Sequence, residues 1–312
     1  MADVQARLHS LGFAVFSDEV GFYGAATRAA IEAFQHHRGL RIDGICGAQT
    51  WNTLVEASFS LGDRFLYRRS PYFRGDDVAS LQQYLSALGF DPGRVDGIFG
   101  DQTAHALREF QRNVGLPVDG ICGAETLISL RRLQAPHHPD NLVSTVRAKE
   151  RLRETQQRLS GSRVAVGEHG GLSQALGALR RRLSAAGARV VSLHHPDGSA
   201  QAQQANQAVA DVYVGLQIDP SEQGCWTAYY SGYRDESPGG HRLAQLVQEG
   251  LPLSLEIPDR GVRGMSVPVL RETRMPAVIV EIGPPSVVVE RGHLLADTLT
   301  RALGVWAEAP WA

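Results

Sequence analysis

One nine-residue pattern recurs four times before position 130. The stretches EVGFYGAAT (19–27), IDGICGAQT (42–50), VDGIFGDQT (95–103) and VDGICGAET (118–126) share two glycines and a threonine at fixed spacing. The first pairs with the third, and the second with the fourth, at an interval of 76 residues. A fixed interval between whole groups of motifs marks a duplicated structural unit. The region therefore reads as two small domains, residues 1–60 and 75–133, each built on two turns of one kind.

Within a unit the residue types predict the local structure. An Asp-Gly pair calls for a turn with positive φ at the glycine, the second glycine for close backbone packing, and the threonine for a cap on the next helix. The helices that follow, TRAAIEAFQHHRGL and TAHALREFQRNVGL, carry Ala30, Ile31, Phe34 and Ala106, Leu107, Phe110 at helical spacing. Each unit also opens on a matching helix, ending LHSLGF (8–13) or LSALGF (85–90). Cys46 and Cys122 hold equivalent places, which favours small apolar fillers over reactive thiols.

These turns, together with the AFQ or EFQ helix ending in Gly-Leu, resemble the three-helix peptidoglycan-binding module found beside bacterial cell-wall hydrolases. The resemblance covers residues 1 to 133. It implies two all-α domains with a shallow groove for glycan or stem peptide, and leaves the groove's residues open.

Residues 134–162 are polar, begin with a proline-containing stretch and read as a linker with room for one exposed helix. The His137-His138 pair there is expected to be solvated. Beyond it the pattern changes. Apolar runs RVAVG (163–167), RVVSL (189–193), DVYVGLQI (211–218), CWTAYY (225–230) and PAVIVEIG (276–283) are separated by amphipathic helical stretches. This alternation predicts, for residues 163–312, an α/β domain with a largely parallel sheet covered on both faces. Polar residues at the carboxyl ends of such strands are where a ligand binds.

The order of strand, HGG, helix, third strand and VEIG resembles the zinc-dependent N-acetylmuramoyl-L-alanine amidases, which cut the amide between glycan and stem peptide. In that family zinc is held by a histidine after the first strand, a glutamate opening the first helix and a histidine after the third strand, and a glutamate in the VEIG motif activates water. Carried over residue by residue, VAVGEHGGLSQAL offers His169 for the first ligand when the double glycine is matched, and Gly170, which is no ligand, when the strand end is matched. It offers Glu168 for the acidic ligand when the helix is counted back from Gly187. Adjacent residues can hardly supply both with the family's geometry. At the third strand, Gln217 replaces the second histidine, and a neutral amide is a poor zinc ligand beside imidazole. Glu281 keeps the position of the general base, with a structural role in holding a loop as the other reading. A zinc site rebuilt from His169, His194, His195, His241 and Glu281 is the remaining route to catalysis.

The bulk properties bound the partners. With 31 basic and 33 acidic residues, net charge −2, the chain has no field to recruit nucleic acid or anionic lipid. No apolar run approaches the roughly 18 residues of a membrane span, so no membrane insertion is expected. Three cysteines without a CxxC, and an opening that lacks a leader pattern, favour a reducing compartment and a cytoplasmic location. Two binding modules before an amidase domain with altered ligands resemble the actinobacterial cytoplasmic pseudo-amidases that regulate peptidoglycan precursor synthesis. That resemblance implies a non-catalytic regulator or adaptor with no cofactor. Its implied partners are peptidoglycan fragments or precursors, and wall-synthesis proteins such as the UDP-N-acetylglucosamine enolpyruvyl transferase. The alternative is an active zinc amidase with a rearranged metal site. The resemblance also implies a phosphorylated tail, for which the closing EAPWA offers no counterpart, so kinase control stays open.

Overall fold

The computed structural model describes residues 1–13, 15, 17–133, 158–168, 172–221, 223–232 and 235–310. The helical repeats and the α/β region form separate compact units. His137, His138 and most of the expected linker lie outside the described residues, as does His169.

Each repeat is a three-helix unit: α1 (Ala2–Ser10), α2 (Ala25–His37) and α3 (Ala48–Ala57), then α4 (Asp76–Ala87), α5 (Asp101–Asn113) and α6 (Ala124–Arg132). Leu8, Ile31, Phe34 and Leu54 centre the first core, and Leu81, Leu85, Leu107, Phe110 and Leu130 the second. The segment between the predicted domains is not a spacer. Leu66 is fully buried in the second core, and Arg64 pairs with the buried Asp77 at 2.7 Å.

A buried glutamine closes every one of the four turns. Gln35 donates to the Asp43 carboxylate at 2.8 Å, to Ile45 O and to Thr50 Oγ1, while its own oxygen accepts the Gly44 N–H at 2.9 Å. Gln111 repeats the set with Asp119, Ile121, Thr126 and Gly120. Gln82 does so with Asp96, Ile98, Thr103 and Gly97. Where the first turn has Val20 in place of the aspartate, Gln5 turns to the Glu19 carbonyl, and keeps Phe22 O, Thr27 and the Gly21 N–H.

Two local expectations are corrected by this network. The turn glycines have positive φ as expected (Gly44 +70°, Gly97 +72°, Gly120 +73°). The threonines, however, cap nothing: the helix N-caps are Gly24, Gly47, Gly100 and Gly123 without side-chain bonds, and the hydroxyls face the glutamines. The second glycine serves close packing at Gly24, where a Cβ would stand 2.3 Å from Asp18 Oδ1, but not at Gly47 or Gly100, where it meets nothing within 4 Å.

The second unit is a six-stranded sheet in the order β2-β1-β3-β6-β4-β5. Its strands are β1 (Arg163–Glu168), β2 (Arg189–His194), β3 (Val212–Ile218), β4 (Gly224–Tyr230), β5 (Asp259–Met265) and β6 (Ala277–Gly283). All neighbours run parallel except β4 and β6, which are antiparallel. The helices are α7 (Ser173–Ala185), α8 (Gly198–Gln207), α9 (Pro238–Leu255), α10 (Pro268–Glu272) and α11 (Pro285–Glu308). One face, with Val164, Val166, Val214, Leu216, Val278 and Val280, packs on α7, α9 and α11. The other, with Ala165, Tyr213, Ala277 and Ile279, packs on α8 and α10. Alternation along each strand therefore assigns every side chain to one layer or the other.

Candidate functional site

Of the predicted site residues, Glu168, Gln217 and Glu281 sit at or near the carboxyl ends of β1, β3 and β6, while His169 lies outside the described residues. They do not form one cluster. Glu168 ends β1 two positions after Val166 and lies on the same face, turned to α7. Its carboxylate is buried: Oε2 accepts the Leu172 N–H at 3.1 Å, and Oε1 lies 3.0 Å from Nδ1 of His194, its register partner on β2. Glu168 is thus the acceptor that ties down the start of α7.

Gln217 and Glu281 are register partners on β3 and β6 and share the opposite face, in line with Tyr213 and Ile279. Glu281 is buried, and Trp226 on β4 faces it across the antiparallel pair. Arg263 lies over the Trp226 ring at 4.5 Å. Sequence reasoning missed this neighbour, since CWTAYY reads as a strand without revealing its direction.

Between the two halves, below the end of β1, a polar plug fills the α8 face. Tyr213 Oη donates to Gln201 Oε1 at 2.6 Å, and Gln201 Nε2 donates to Glu168 O and His195 O. Burial raises the Tyr213 phenol, so it stays a donor. Gly167 is required here, because a Cβ would stand 2.0 Å from Gln201 Oε1. Of the remaining histidines, His195 Nδ1 accepts the Asp197 N–H at 3.0 Å, and His241 stacks on Tyr229 at 4.4 Å on the α9 side.

Zinc needs at least three converging donors. Among the described residues no three His, Cys, Asp or Glu side chains come together. The described donors therefore do not fit a family-type zinc site.

Family models identify an N-acetylmuramoyl-L-alanine amidase scaffold behind two peptidoglycan-binding modules. The family model for N-acetylmuramoyl-L-alanine amidase matches residues 170–299, and that for the peptidoglycan binding domain matches residues 1–54 and 74–130. The chain is 34% identical to the N-acetylmuramoyl-L-alanine amidase CwlM of Mycobacterium tuberculosis over 96% of its own length and 83% of that protein, and it belongs to this family. It is also 31% identical to the amidase CwlL of Bacillus licheniformis, over 42% of each chain. Among solved structures, an N-acetylmuramoyl-L-alanine amidase from Clostridium difficile matches 48% of this chain and 99% of its own, with 19% identity and a TM-score of 0.40. Among the described residues no helix is long and apolar enough to cross a membrane.

Proposed function

We propose that this protein is a non-catalytic regulator or adaptor of peptidoglycan synthesis, built on an amidase scaffold and acting in the cytoplasm. The observation that carries the reading is the pairing of Gln217 with Glu281. A water-activating carboxylate is kept beside an amide where the family resemblance calls for a zinc-binding imidazole. Support comes from the far side of the sheet, where Glu168 is committed to the Leu172 N–H and His194. A carboxylate without an electrophile neither polarises an amide carbonyl nor makes hydroxide at neutral pH.

In this reading the two modules bind peptidoglycan fragments or precursors, and the α/β unit engages a wall-synthesis protein, the UDP-N-acetylglucosamine enolpyruvyl transferase being the candidate. The test is the zinc content per chain of protein purified without chelator, joined to stem-peptide release from purified sacculi. Background zinc and no release are expected. Near-stoichiometric zinc with release abolished by Glu281→Gln would replace the proposal with an active amidase.

A further inference from the structure

The two binding modules are copies, yet the second carries a strap over its turns that is missing from the described surface of the first. Residues 63–75 cross the second module and are bridged to it antiparallel at Leu66–Cys122 and at Arg74–Ile98. Cys122 N donates to Leu66 O at 2.8 Å and Leu66 N to Cys122 O at 3.4 Å. Further along, Phe99 N donates to Phe73 O at 2.9 Å and Gly75 N to Gly97 O at 3.0 Å. Leu66 and Phe73, seven positions apart, pack into the core beneath. Under the strap Phe99 is 0% exposed and Cys122 5%.

In the first module the same surface is open. Tyr23 and Cys46 stand 76 residues before Phe99 and Cys122. Tyr23 is 39% exposed, and its neighbours in the two turns, Phe22 and Ile45, are 64% and 63% exposed. Cys46 is partly exposed where Cys122 is buried. A depression of about 460 Å³ opens there, lined by Met1, Tyr23, Arg28, Asp43, Ile45 and Cys46. Among the described residues no backbone group is hydrogen-bonded to the N–H or C=O of Cys46, the groups that in Cys122 hold the strap. Its own core is complete, for Leu54, the counterpart of Leu130, is fully buried. Among the described residues this surface therefore sets the N–H and C=O of Cys46, without a backbone partner, beside exposed apolar side chains over a finished domain. Such surfaces take up extended peptide by adding a short strand.

We propose that the first module docks an extended peptide segment of a protein partner in the way the second holds residues 63–75. The segment pairs its backbone with Cys46 and seats two bulky apolar side chains about seven residues apart, a spacing read from the strap itself. The proposal stands whether or not the α/β unit is catalytic.

The probe is a fluorescent peptide with the sequence of residues 63–75, DRFLYRRSPYFRG, titrated into the full chain beside a scrambled peptide of the same composition. Expected are saturable binding of the ordered sequence alone and a loss of about tenfold or more in affinity with Ile45→Asp. In the unsubstituted chain the peptide should also slow alkylation of Cys46, while the buried Cys122 and Cys225 stay unreactive. Binding that the scrambled peptide matches, that Ile45→Asp leaves unchanged, or that leaves Cys46 unprotected would overturn the proposal. Muropeptides that displace the probe and protect Cys46 themselves would overturn it in favour of a glycan site.

Discussion

Glu168 and Glu281, the two buried carboxylates at the strand ends, point to opposite faces of one sheet. Glu168 pairs in register with Leu216 on the α7 side, whereas Glu281 pairs with the next residue, Gln217, on the α8 side. A single step along β3 thus separates two layers.

Restoring one ligand should therefore not restore a site. Gln217→His sets an imidazole beside Glu281 but leaves Glu168 and His194 across the sheet. The variant is expected to take up no stoichiometric zinc and to release no stem peptide from sacculi, by metal analysis and chromatography of the digest.

Glu168 should matter for stability. Glu168→Ala strands the buried Leu172 N–H at the head of α7, a cost of about 2 kcal/mol. That corresponds to a fall in Tm of about 5 °C for a unit of this size. Glu168→Gln keeps an acceptor and should lose less than half as much, as calorimetry would read.

The glutamine at a turn is a sharper test of the helical unit. Gln111→Ala removes the partner of Asp119, Gly120, Ile121 and Thr126 together. With several buried polar groups left unmatched, the loss should be about 3 kcal/mol. Urea unfolding would measure it, and hydrogen exchange at the Gly120 N–H should accelerate in step.

Acid sensitivity follows from Asp119. The Ile121 N–H and then the Gln111 side chain hold its carboxyl below the ordinary carboxylate range. The unfolded chain, with a normal value of about 4, binds the proton first as pH falls. Stability from this group is complete above that value and is lost as pH drops through the depressed folded one. Asp119→Asn should flatten that part of the acid-unfolding curve.

The repeat, the helical units and five of the six strands are legible in the sequence, because each rests on local pattern. The turns are legible as turns, but their cause is not. Gln35 and Gln111 belong to the visible AFQ and EFQ helices, yet their hydrogen bonds form only after the chain has doubled back. The threonine accordingly reads as a cap when it is a glutamine partner. At the candidate site each residue is readable singly. The face it occupies depends on where its strand ends and in which order strands pair, as the split between Glu168 and Glu281 illustrates. Trp226 opposite Glu281 requires knowing that β4 runs antiparallel to β6.

The strand that sequence reasoning missed, β5, has the sequence DRGVRGM and sits at the rim of the sheet. Two glycines, one with φ +79°, and two arginines give it no apolar run to recognise. Those same residues make it a poor template. Arg260 folds back to the carbonyl of Gln223, and Arg263 covers Trp226, so the outer rim offers an approaching chain charge and irregular backbone rather than a flat row of partners. What hides β5 from a reader is what keeps the sheet from growing: the rim ends the fold and guards it against self-association.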